Sequence, residues 1–146
     1  MHAYKRDRQE SEDFDMIING KNAILGRLAS YTAKKLLAGE EVAIFNAKGV
    51  IITGTPDKIK SKYLNLRRIG SPQHGPFFPI EPDKIVRRVI RGMLPYKTNK
   101  GRAAFKRLKV YADVPSGMSG ESIAVKTIRS NFITVGEVSK TLGWKK

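Results

Sequence analysis

Cysteine is absent from this 146-residue chain, histidine occurs only at positions 2 and 74, and the single tryptophan is Trp144. Without thiols there is no disulfide framework, no cysteine nucleophile and no thiolate metal site. Two histidines, His2 in a charged arm and His74 in a loop, are too few for a histidine-based metal centre, so no metal or other cofactor is expected. A reducing compartment suits such a chain, which reads as soluble and cytoplasmic. Long apolar runs are missing as well: stretches such as Val50-Ile51-Ile52 fall far short of a bilayer span, and the acid-rich N-terminus has no apolar signal-peptide core.

Acid is scarce relative to base. Lys+Arg number 28 against 13 for Asp+Glu, a net charge of +15 with a pI near 10.2. Leu, Ile, Val and Phe still make up 38 residues, enough to build a core, so the chain is no mere basic tail. The charge is uneven: residues 67–110 hold twelve bases and two acids, two thirds of the net excess. A solvated surface needs a net charge of only about 2 to 8 for solubility, so a polyanionic partner accounts better for the excess. An anionic membrane suits it less, because the helical segments use their apolar sides for a core.

Residues 1–15 lack periodicity and read as a charged arm, followed by a domain over 16–115 and a C-terminal extension over 116–146 carrying a short helix. Met16 to Ile18 predicts a strand. Apolar residues at helical spacing predict a helix from Ala23 to Leu37, stopped by Gly39. Val42–Phe45 and Val50–Thr53 read as strands around a turn. Thr55-Pro56-Asp57 and Glu81-Pro82-Asp83 have the composition of helix starts, with a capping group, proline at the first position and an acid at the positive dipole end. Leu108 to Ala112 suits a last strand. Ser116 to Gly120 is flexible by composition, and Thr134 with Glu137 has capping-box spacing ahead of a short helix that Gly143 stops. Strand and helix alternate, which argues for an α/β three-layer sandwich.

Three basic groups stand out. In the helix after Pro82, Ile85, Val86, Val89, Ile90, Met93 and Leu94 fall on one side, while Lys84, Arg87, Arg88 and Arg91 form an i, i+3, i+4, i+7 stripe on the other. Arginine's planar fork favours bidentate phosphate contacts over plain solvation. A solvated face held by ion pairs is the plainer reading, but only Glu81 and Asp83 are at hand to pair. The second group is Arg67, Arg68 and His74 in a Gly/Pro loop with Phe77 and Phe78, rings that either stack on unpaired bases or anchor the loop to the core. The third, Lys97, Lys100, Arg102, Lys106, Arg107 and Lys109, surrounds Gly101, which either lets a phosphate approach or permits a turn.

Enzyme signatures are poor. Gly49 to Gly54 lacks the lysine of a phosphate-binding P-loop, and Asp57, Glu81 and Asp83, the available metal carboxylates, sit where helix starts already explain them. Catalysis and a small-molecule substrate are therefore not expected.

Gly26-Arg27-Leu28-Ala29-Ser30, Phe45-Asn46-Ala47 with Thr53-Gly54, Arg91-Gly92-Met93-Leu94-Pro95, and Gly101-Arg102 with Arg107-Leu108-Lys109-Val110-Tyr111 resemble, in order and spacing, the universal large-subunit ribosomal protein L-thirteen family. The resemblance covers roughly residues 17–115 and is nearest the archaeal and eukaryotic branch. It implies a three-layer α/β/α sandwich with a mostly parallel four-stranded sheet. It also implies a structural role in the large ribosomal subunit, with large-subunit rRNA and neighbouring ribosomal proteins as partners. The family's basic motif positions fall on Arg27, Arg91, Lys97, Arg102 and Arg107, as phosphate contacts rather than base readers. An extra-ribosomal RNA-binding regulator is the alternative, and the acidic arm lies outside the shared pattern.

Overall fold

A computed structural model describes residues 14–114, 120–122 and 130–145. Its elements are β1 (Met16–Asn19), α1 (Leu25–Leu37), β2 (Val42–Phe45), a 3-10 turn (Ala47–Gly49), β3 (Ile51–Thr53), α2 (Pro56–Arg68), α3 (Pro82–Gly92), α4 (Asn99–Lys106), β4 (Leu108–Val110), β5 (Glu121–Ser122), β6 (Phe132–Thr134) and α5 (Val135–Leu142). β1, β2, β4 and β5 form a small parallel sheet of order β4-β2-β1-β5. Met16 pairs with Val42, Val42 with Leu108, and β5 adds a two-residue pairing from Ile18↔Glu121. The chain is therefore α/β.

The run at 50–53 is not one of the parallel strands, which corrects the expected sheet. β3 pairs antiparallel with β6, Ile51 opposite Thr134 and Thr53 opposite Phe132, in a separate two-stranded sheet. The reason lies in the ladder: β2 already has β1 on one edge and β4 on the other, so the next strand in sequence has no place beside it. Its backbone finds partners elsewhere, with Ile51 donating to the Ala23 carbonyl at 2.7 Å and Gly54 to that of Asn131 at 2.8 Å.

β2 is buried on both faces, as a central parallel strand should be. Val42 and Ile44 pack in a core with Leu28 and Leu36 of α1, Ile85 and Ile90 of α3, and Leu108 of β4. Ala43 and Phe45 point the other way. There the chain at Gly120 comes so close that an added Cβ would stand 2.7 Å from the Phe45 ring. Ile133, Val135 and Val138, from the segment beyond residue 116, belong to the same core.

Helix boundaries follow local chemistry. α1 ends with Gly39 at φ +96°, where the expected stop required a left-handed residue. Thr134 Oγ1 accepts from the Glu137 amide at 3.2 Å, and Gly143 closes α5 at φ +109°. The capping hydroxyl expected at Thr55 makes no side-chain bond; the start of α2 rests on Pro56 and Asp57. The first thirteen residues of the arm and most of Ser116–Gly120 lie outside the described residues, but Asp15 Oδ2 accepts from the Glu41 amide at 2.9 Å.

Candidate nucleic-acid interface

The sequence of α3 sorts into two faces, and the packing follows it through Ile90; Met93, expected on the packing side, is the helix C-cap and lies exposed, while Leu94 after it is buried. Ile85, Val86 and Ile90 are fully buried, whereas Lys84, Arg87, Arg88 and Arg91 are exposed. Ion pairing explains only the first cation, because Lys84 Nζ lies 3.2 Å from Glu81. The three arginines instead sit over aromatic rings. Arg87 lies 4.5 Å from the centre of the Phe105 ring, Arg88 5.0 Å from that of Phe78, and Arg91 4.8 Å from that of Tyr96.

Those rings come from three separate segments: α4, the 69–81 loop and the turn after α3. The stripe is therefore a hub that joins every basic stretch singled out between Arg67 and Lys106. A cation over a π face is held without losing the N–H donors at its rim, and at exposed sites such stacking is worth about 0.5–1 kcal/mol. The guanidinium groups are thus positioned yet lack a carboxylate partner. Among the described residues only Lys48, with Asp113, and Lys84 form ion pairs.

The two phenylalanines of the loop divide the roles left open for them. Phe78 is buried, edge-on to Tyr63 with ring centres 5.5 Å apart, and anchors the loop. Phe77 is exposed. Arg67 Nη1 donates to the Phe78 carbonyl at 2.6 Å, so this arginine fixes the loop; Arg67, Arg68 and His74 are all exposed. Lys97, Lys100, Arg102 and Lys106 are exposed around α4.

Gly101 serves packing. A Cβ there would stand 1.9 Å from the Pro95 carbonyl oxygen, while its amide donates to the Thr98 cap at 3.2 Å. Arg107 differs from its neighbours. It is half-buried, and its Nη2 donates to the Leu36 carbonyl at 2.7 Å, inside the domain. Arg27 on α1 and Lys109 on β4 are exposed, on elements outside the three stacks. The aromatic partners Phe105 and Tyr96 were not among the sequence candidates. Their pairing depends on how helices meet, and only the alternation of bases with aromatics hinted at it.

No cluster of three or more His, Asp or Glu side chains able to hold a metal ion occurs among the described residues, and no helix there is long and apolar enough to cross a membrane. An α/β core that turns a row of uncompensated guanidinium groups outward has the build of a polyanion-binding domain.

The sequence profile of the family described as Ribosomal protein L13 matches residues 15–116. The chain is 42% identical over 138 residues to the large ribosomal subunit protein uL13 of Methanopyrus kandleri, covering 88% of this chain and 87% of that one. It is 47% identical over 137 residues to the protein of that name in Methanococcus maripaludis, covering 89% and 98%. With the Methanocaldococcus jannaschii protein the figures are 48% over 134 residues, covering 88% and 98%. The chain belongs to the ribosomal protein L13 family.

Proposed function

We propose that this chain is a structural constituent of the large ribosomal subunit, in the cytoplasm. It binds large-subunit rRNA mainly through phosphates, supports subunit assembly and lies beside other ribosomal proteins. The observation that carries the reading is the row of Arg87, Arg88 and Arg91, each stacked on an aromatic ring and none neutralised by a carboxylate. Arg68, His74, Lys84, Lys97, Lys100, Arg102 and Lys106 extend this surface, with Arg27 and Lys109 as outlying contacts. Arg107 acts from within, by holding the end of α1, while Arg67, itself exposed, holds the loop at the same surface.

Phosphate contacts position a protein without reading sequence, so the folded shape of the rRNA supplies the selectivity. The role is structural and not enzymatic. The architecture we infer is a sandwich: α1 and α3 cover the Val42–Ile44 side of the sheet, and Gly120 lies against Phe45 on the other side. Nothing in the arrangement selects a messenger RNA over rRNA.

The test is a binding titration of the full chain against protein-free archaeal large-subunit rRNA. With about 6 to 10 phosphate contacts, affinity should fall on the order of a thousandfold or more between roughly 50 and 200 mM salt. Affinity indifferent to salt would contradict the proposal.

A further inference from the structure

Phe77 is the most exposed large apolar side chain among the described residues, with 66% of its surface open, next to the buried Phe78. Its exposure is built in. Ser71 and Gly75 exchange backbone hydrogen bonds of 3.2 and 2.8 Å, closing a tight turn. Gly70 lies against that turn so closely that a Cβ would stand 2.2 Å from the Gly75 carbonyl oxygen. On the other side, Arg67 holds the Phe78 carbonyl and Arg88 covers the Phe78 ring. The Phe77 ring itself lies over the Gly75 backbone: a Cβ at Gly75 would be 3.2 Å from both Cδ2 and Cε2 of the ring. A flat apolar surface is thus backed by glycine and set between two anchored points. Little ordering remains to be done when a ligand arrives.

The surroundings select the occupant. The loop from Ile69 to Ile80 carries no acid, and Arg67 and Arg68 lead into it. Arg68 and His74 are exposed close to Phe77 in sequence. An aromatic face preceded in the chain by Arg68 and His74, with Arg67 and Arg88 held at the neighbouring Phe78, suits a ligand that is planar and apolar in one part and anionic in the next. A nucleotide of single-stranded RNA has that make-up, its base for the ring and its phosphates for the cations.

We propose that Phe77 is a stacking platform for an unpaired base of the bound RNA, a contact distinct from the phosphate contacts of α3. The proposal rests on the RNA-binding reading above. Because Phe77 touches little of the core, replacing it leaves the fold intact, which an unchanged urea midpoint verifies.

The experiment uses the full chain and protein-free archaeal large-subunit rRNA. Phe77→Ala should weaken binding by about 5- to 150-fold, the range alanine substitution gives for one base–aromatic stack, with an unchanged slope of log affinity against log salt. Phe77→Leu, apolar but not aromatic, should lose as much. Phe77→Trp combined with Trp144→Phe leaves one tryptophan, at the platform; it should bind like the parent chain, and its fluorescence should be quenched by the RNA. Wild-type affinity in Phe77→Ala and Phe77→Leu, with R87A/R88A/R91A weakened, would overturn the platform and leave the interface standing. Normal rRNA affinity with poor incorporation into subunits would also overturn it, by assigning Phe77 to a neighbouring protein. Failure of the unsubstituted chain to bind rRNA would bring down the underlying reading itself.

Discussion

Arg107 Nη2 donates to the carbonyl of Leu36 at 2.7 Å, tying the approach to β4 to the last turn of α1 across 71 positions of chain. A cation at a helix C-terminus meets the negative end of the dipole, and the oxygen it uses also accepts from Gly39 at 3.1 Å. Truncation to alanine removes a charged hydrogen bond from a half-buried site. Arg107→Ala should cost about 1.5–3 kcal/mol in urea unfolding and leave the salt dependence of RNA binding unchanged. A stability like that of the parent chain, together with a shallower salt slope, would place this guanidinium on the RNA instead.

The arginine row predicts the opposite pattern. Arg87→Ala, Arg88→Ala and Arg91→Ala combined should flatten the slope of log affinity against log salt by about 2 to 3, since each lost phosphate contact removes roughly 0.7–0.9. The stability cost is limited to the exposed stacks on Phe105, Phe78 and Tyr96, about 0.5–1 kcal/mol each. Filter binding at several salt concentrations, with circular dichroism as the folding check, measures both.

Gly101 is required by backbone packing. Its place in the first turn of α4 puts the Pro95 carbonyl oxygen where a Cβ would be, at 1.9 Å, and that oxygen also accepts from Thr98 Oγ1 at 2.7 Å. Gly101→Ala must displace the turn that carries Tyr96, the ring under Arg91. Overpacking of this kind typically costs about 1–3 kcal/mol, so the thermal midpoint should drop by several degrees.

Burial raises the Asp83 carboxyl above the ordinary carboxylate range; Glu81 pushes the same way, while the backbone amides at Lys84 and Asp83 pull it down. The folded state therefore holds this proton more tightly than the unfolded one. The stability it contributes is full below the unfolded value, near pH 3.9, and is lost as pH rises through the raised folded value. Asp83→Asn removes that titration. Relative to the parent chain, the variant's urea midpoint should climb as pH increases from about 3 to about 6. A fall over that window would contradict the assignment.

Local rules made much of this fold readable. The Leu25–Leu37 helix, its Gly39 stop, the proline starts of α2 and α3 and the Thr134 cap all depend on residues within one turn of each other. The β3–β6 pairing was not readable, because it joins Ile51 to Thr134 across the whole domain and β6 is only three residues long. The cationic stripe of α3 was visible as periodicity. What holds each arginine was not: Phe105 and Tyr96 meet the stripe only when α4 and the intervening turn fold back onto it. Arg107 shows the limit from the other side: nothing local in its motif announced the bond from its Nη2 to the Leu36 carbonyl, 71 positions away.

The central claim is that this chain is a built-in part of the large ribosomal subunit, and sedimentation tests it most directly. A native lysate of cells making the chain, run through a sucrose gradient at moderately high salt, should carry it with the large subunit at about one copy per particle. The R87A/R88A/R91A variant should be depleted from that peak. Recovery of the unsubstituted chain only at the top of the gradient would contradict the account.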